Sequence, residues 1–230
     1  EAASGNAPVA PYAISQLSGP YRVIPDMLES RHPVATIEDC QAWLARLEAF
    51  GPVLDASTAD LRSDAAAGIV APRFALDAAL VQLTALRAPD AAANGLAAGL
   101  GRKAAAVGVD GDWSVRAAKI VAQAIYPALD RQIAAVRAAR DSTTDDAGVW
   151  KLPHGRQFYA DALAYHTSSS LTPAQVHKLG LDQVAQISAE MDRLLAGIGL
   201  ARGTVAERVT ALGKRPGEAY REDDIGREQV

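Results

Sequence analysis

Tyr165, His166 and Thr167 stand in a row just before the hydroxyl-rich run Ser168-Ser-Ser-Leu-Thr-Pro. A phenol, an imidazole and a hydroxyl offer hydrogen bonds and proton exchange to a polar substrate. Their position ahead of a well-capped helix makes them candidate substrate-facing residues. Thr172 reads as an N-cap, Pro173 as the first helical residue and Gln175 as the partner that completes a capping box. Leu171 and Val176 occupy the two positions of a hydrophobic staple. Such a junction is a firm shelf for side chains. Tyr21 and Arg22, in Gln16-Leu-Ser-Gly-Pro-Tyr-Arg, form a second candidate pair, an aromatic and a guanidinium beside flexible backbone. Packing of Tyr21 on the helical body is the competing account there, and the somewhat stronger one. Trp150-Lys-Leu-Pro-His-Gly-Arg reads as the rim of a cleft, or as an anchor for Trp150 in the core.

Other chemistries find little support. None of His32, His154, His166 and His177 is followed by Glu, so the His-Glu-x-x-His zinc helix is absent from this stretch. His32 precedes a proline and reads as a loop residue, and a structural role is the better reading of His166. The serines at 168–170 lack a Gly-x-Ser-x-Gly elbow, and a turn that bonds its own backbone explains them. Gly99-Leu-Gly-Arg-Lys lacks the strand and the full spacing of a phosphate loop. Asp145-Asp146 and Asp223-Asp224 read as solvated surface. Neither a catalytic residue nor a metal ligand is assigned.

The elements that must hold these residues are helical. Apolar residues make up 49% of the chain, much of it alanine, with only 5% aromatic, a composition that favours closely packed helices. Strand-like alternation never lasts more than a few positions. Residues 1–35 read as an extended lead-in and loop, with short helical turns at most around 24–28, and residues 36–230 as a helical domain. Thr36 caps a helix carrying Ile37, Cys40, Trp43, Leu44 and Leu47, which Gly51-Pro52 should end. Further helices are expected over 56–67, with Gly68 as the residue after the cap, and after Pro72, with Phe74, Leu76, Leu80, Leu83 and Leu86 as its apolar set. Another is expected over 90–107, weakened by Asn94-Gly95. A long element over 112–140 should be kinked or divided by Pro127. Two helices flank the junction, and Thr204, Glu207 and Gly213 delimit a last one. Short connections favour an antiparallel bundle. Asp223 or Asp224 could open a further helix, so the chain reads as part of something longer.

A net charge of -4 with dispersed basic residues advertises no nucleic-acid surface, and no segment approaches the roughly twenty apolar residues of a membrane span. The single cysteine, Cys40, excludes an internal disulfide and reads as a small buried hydrophobe.

Several segments carry a family resemblance: Pro11-Tyr-Ala-Ile-Ser-Gln-Leu-Ser-Gly-Pro-Tyr, Trp43-Leu-Ala-Arg-Leu-Glu-Ala-Phe, Gly68-Ile-Val-Ala-Pro-Arg-Phe-Ala-Leu-Asp, and above all residues 148–191. Their order and spacing over residues 11–212 resemble the bacterial family known as domain of unknown function eight-eight-five, zinc peptidases similar to helical carboxypeptidases and other gluzincins. The resemblance implies an elongated all-α body with a deep cleft, a peptide substrate, and a zinc cofactor activating water beside a glutamate base. It places the His-Glu-x-x-His helix and a further glutamate ligand in polypeptide beyond residue 230, which becomes this chain's partner. It also implies an upstream export or lipoprotein signal and a periplasmic or otherwise exported location. On this reading residues 1–230 supply cleft wall but no zinc ligand, and would be inactive alone. The alternative is a non-enzymatic helical binding or scaffold module.

Overall fold

A computed structural model describes residues 12–215; the lead-in before them and the acidic pair at 223–224 lie outside the described residues. Every regular element among those residues is helical: α1 (Pro20–Ser30), α2 (Ile37–Ala66), α3 (Arg73–Arg87), α4 (Gly95–Ala106), α5 (Trp113–Ile120), a π turn (Val121–Ile125), α6 (Tyr126–Asp141), a 3-10 turn (Val149–Lys151), α7 (Gly155–Thr167), α8 (Pro173–Gly197) and α9 (Val205–Leu212). The all-α expectation is met. The chain divides into two compact units, Glu1–Tyr165 and His166–Val230.

In the first unit, α2 is the central rod, packed against α6, the π turn, α5, α4 and α1. It runs through Gly51-Pro52, which sequence periodicity takes as its end. A proline disfavours helical backbone in the residue before it by striking that residue's Cβ, and Gly51 has none. The bare Gly51 also lets the helix approach the π turn, since a Cβ there would lie 3.1 Å from the Ala124 carbonyl oxygen. The buried stripe continues through Leu47, Phe50, Leu54, Thr58 and Leu61. Continuous burial outweighs one missing hydrogen bond. At its far end Gly68 adopts φ 80°, the Gly68 N–H reaches the Ala65 carbonyl and the Ile69 N–H the Asp64 carbonyl, a Schellman cap.

The lead-in is more ordered than its prolines and glycine predict. Pro20 occupies the first turn of α1, where its missing N–H costs nothing, and Tyr21 and Leu28 are buried with Ile14 in the same core as α2. Asn94-Gly95 starts α4 and does not weaken it: the Asn94 side chain accepts the Leu96 N–H and donates to the Leu86 carbonyl. On α3, Phe74 is exposed, and Ala75 and Ala79 take its expected place in the core. Pro127 divides the long element as expected, through a π turn in which the Tyr126 N–H reaches back to the Val121 carbonyl.

In the second unit α8 packs on α9. Arg208 of α9, 5% exposed, donates to the carbonyls of Leu200 and Thr204 and to the Asp192 carboxylate on α8. Thr172 and Thr204 each form the capping box that their sequences specify.

Candidate functional site

The clearest candidate surface begins at a tight turn. Val149–Lys151 winds as a single 3-10 turn, after which His154 holds φ 56° and Gly155 opens α7. A positive φ costs a non-glycine residue of order 1 kcal/mol or more, and persists only where its surroundings demand it. The demand is visible. A Cβ on Gly155 would sit 1.8 Å from the Val149 carbonyl oxygen, and one on Gly148 would overlap the Trp150 indole. The turn buries Leu152 and leaves Trp150 64% exposed, with His154 exposed beside it. Desolvation pulls the Lys151 ammonium down from its usual range, with an opposing contribution from Asp146. Trp150 is therefore not a core anchor.

From the turn, α7 carries Tyr159, Tyr165, His166 and Thr167, all exposed. The Thr167 and Ser169 hydroxyls lie 2.8 Å apart, Ser168 holds φ 51°, and the Thr172 cap comes next. The hydroxyl run therefore bonds within its own turn, as its composition predicts. Tyr165 closes the first compact unit, and His166 and Thr167 open the second.

Tyr21 and Arg22 sit on a different element, α1, and behave differently from each other. Tyr21 is 3% exposed, and its hydroxyl lies 2.8 Å from both the Ser15 carbonyl and Gln82 Oε1. Burial pushes its phenol up to about 12, against a smaller lowering pull from Arg22. A phenol so enclosed anchors α1 and presents nothing to a ligand, a correction to its reading as substrate-facing. Arg22 is exposed and lines a shallow groove of about 400 Å³ with Val23, Asp26, Met27 and Arg31.

Two features escape sequence reading. His32 is buried with its edge on the Trp43 ring, and its two nitrogens meet the Pro33 carbonyl and Arg46. A cavity of about 330 Å³ lies nearby, walled by Pro25, Trp43, Asn94 and Leu96, with the Arg102–Glu29 ion pair at its edge. The glycines of Gly99-Leu-Gly-Arg-Lys serve packing here: a Cβ on Gly99 would meet Glu29 of α1, and one on Gly101 would meet Ser114 of α5. Nothing local in the sequence announces either feature, because both are assembled from separate helices.

No group of three or more His, Cys, Asp or Glu side chains among the described residues is placed to hold a metal ion. His32 has both ring nitrogens engaged and offers neither to a metal.

The model of a bacterial protein family of unknown function, DUF885, matches residues 1–230. The chain belongs to that family. A solved member of the same fold, described as "the putative lipoprotein from Colwellia psychrerythraea", superposes with a TM-score of 0.83 at 26% identity, over 96% of this chain and 39% of its own. The chain thus spans about two fifths of that protein's length. No curated protein matches it. Among the described residues, no helix of this DUF885 chain is long and apolar enough to cross a membrane.

Proposed function

We propose that this chain forms a wall of the substrate cleft of a zinc-dependent peptidase, with the metal held by polypeptide outside residues 1–230. The observation that carries the reading is the surface of the first unit that runs from the His154 turn along α7 to Tyr165. It offers the exposed rings of Trp150, Tyr159 and Tyr165; the exposed His166 and Thr167 belong to the second unit. Aromatic faces and hydrogen-bonding tips on fixed backbone suit an extended peptide, whose main chain needs partners and whose side chains need apolar contact. Zinc, where bound, polarises a scissile carbonyl and activates water; this chain's residues would bind and orient the peptide. The family resemblance to helical peptidases supports the same reading, and the lipoprotein description of the Colwellia protein supports an exported location.

The test uses the longest polypeptide that the gene encodes. Zinc content by mass spectrometry and chelator-sensitive cleavage of a peptide mixture are the expected results. In that enzyme Tyr165→Ala and His166→Ala should raise KM about tenfold with little change in kcat. A protein free of zinc and inert towards peptides would overturn the proposal. The second reading, a non-enzymatic helical binding module, is favoured by the apolar face that α8 leaves exposed, and peptide or protein binding without turnover would support it.

A further inference from the structure

The cavity beside Trp43 lies within the first unit and shares no residue with the α7 surface. Pro25 of α1, Leu86 and Pro89 around the end of α3, and Gly95 and Leu96 of α4 give it apolar walls, with the buried Trp43 of α2 behind them. At about 330 Å³ it stands at the small end of ligand pockets, which run from ~300 to ~1,000 Å³. That volume suits a guest the size of one amino acid. Among the described residues, its charged lining groups are Glu29 and Arg102. Their ion pair is half made. Arg102 Nη2 donates end-on to Glu29 Oε1 at 2.9 Å, and among the described residues no hydrogen bond engages Nε or Nη1 of Arg102 or Oε2 of Glu29. Both side chains are more than half exposed, at 64% and 52%. Gly99 seats the two heads on α4: a Cβ there would lie 2.7 Å from Oε2 and 3.7 Å from Nη2. The Lys103 ammonium bonds the Glu29 carbonyl and holds this end of α1 to α4.

We propose that this cavity binds a free α-amino acid with an apolar side chain. The guest's side chain fills the space between Pro25, Leu86 and Pro89, its carboxylate takes the idle donors of Arg102, and its ammonium meets Oε2 of Glu29. Charge complementarity chooses that occupant. A cation and an anion held side by side at an apolar mouth match a molecule that carries both charges on one carbon. A carboxylate with an apolar tail satisfies Arg102 but sets its charge beside Glu29, and an apolar amine does the reverse. The C-terminal residue of a peptide lacks the ammonium and the N-terminal residue lacks the carboxylate, so neither end of a peptide fits as well. The end-on contact with Glu29 leaves the rest of the guanidinium fork for the guest carboxylate. Apolar burial supplies most of the affinity, and the exposed, screened charges orient the guest. The site does not rest on the peptidase reading, because binding there involves neither zinc nor turnover.

Calorimetric titration of the longest polypeptide from the gene with L-phenylalanine and L-leucine tests it. Both should bind. Phenylalaninamide, which lacks the carboxylate, and 3-phenylpropionate, which lacks the ammonium, should bind roughly tenfold more weakly or worse. These analogues need no altered protein to fold. Gly95→Trp places bulk at the mouth, where a Cβ would meet nothing within 4 Å, and should abolish binding with little change in melting temperature. Arg102→Gln should weaken L-phenylalanine by about the same factor as removing its carboxylate, and should leave the affinity for phenylalaninamide unchanged. Amino-acid binding with this pattern in a protein that neither holds zinc nor cleaves peptides would support the site and sink only the peptidase reading. Three results overturn the proposal: no binding of either amino acid, equal affinity for phenylalaninamide, or binding that survives Gly95→Trp, as it would at a site elsewhere.

Discussion

Arg46 Nη1 lies 2.8 Å from Nε2 of His32, and the other ring nitrogen, Nδ1, lies 2.6 Å from the Pro33 carbonyl oxygen. A guanidinium only donates and a carbonyl only accepts, so the neutral ring must carry its proton on Nδ1. Nitrogen-15 spectra at pH 8.5 should therefore show a pyrrole-like Nδ1 and a pyridine-like Nε2 for His32. Arg46→Met should let the tautomers mix. The opposite assignment in the unaltered protein would refute the geometry.

Tyr21 makes stability fall in strong alkali. Its folded pKa is raised to about 12, whereas an unfolded tyrosine titrates near 10. Between these values the unfolded chain has lost the proton that the folded chain keeps, so stability is full below about pH 10 and declines as pH climbs towards 12. The loss is on the order of 2 kcal/mol. Urea melts at pH 9 and pH 11.5 should show this slope, and Tyr21→Phe should flatten it. The same substitution should cost about 1 kcal/mol at neutral pH through its lost hydrogen bond.

Gly155 and Gly180 should respond to alanine in opposite directions. At Gly155 the added methyl collides with backbone, so the turn must shift, and we expect a loss of about 3 kcal/mol with an altered Trp150 fluorescence. At Gly180, in a helix interior with open space around it, alanine should stabilise α8 by about 0.5–1 kcal/mol. Thermal melts of the two variants check both signs. A stabilised Gly155→Ala would mean the 148–155 turn is not built as described.

Arg208→Met should release α9 from α8. The substitution leaves three carbonyls and one carboxylate without their buried donor, a cost of about 1–3 kcal/mol. Amide exchange should quicken across Val205–Leu212 while α2 keeps its protection. Uniform loss of protection everywhere would show that α9 does not open on its own.

These positions also mark how far residue patterns reach. Helix starts with a hydroxyl cap, at Thr36, Thr172 and Thr204, were legible because the device is local, whereas the partner of Thr36, Asp39, came only from the structure. The uninterrupted course of α2 was not, since it depends on Ala124 lying against Gly51 across more than seventy residues. Nor could periodicity tell Tyr21 from Arg22: neighbours on a helix point about 100° apart, and only the packing of α1 on α2 and α4 decides which faces inward. The segment from Trp150 to His154 stood out by composition, but its backbone strain did not.

The π turn at Val121–Ile125 has a bearing on how this rod evolved. A π turn houses one more residue than an α-turn, so everything after it is rotated by about 100° relative to an uninterrupted helix. The swivel lets α5 address α4 while α6 addresses α3. Losing a single codon within 121–125 would restore an uninterrupted helix and turn the inward row of Leu129, Gln132 and Val136 away from its neighbours. Length at this one spot is therefore as constrained as identity.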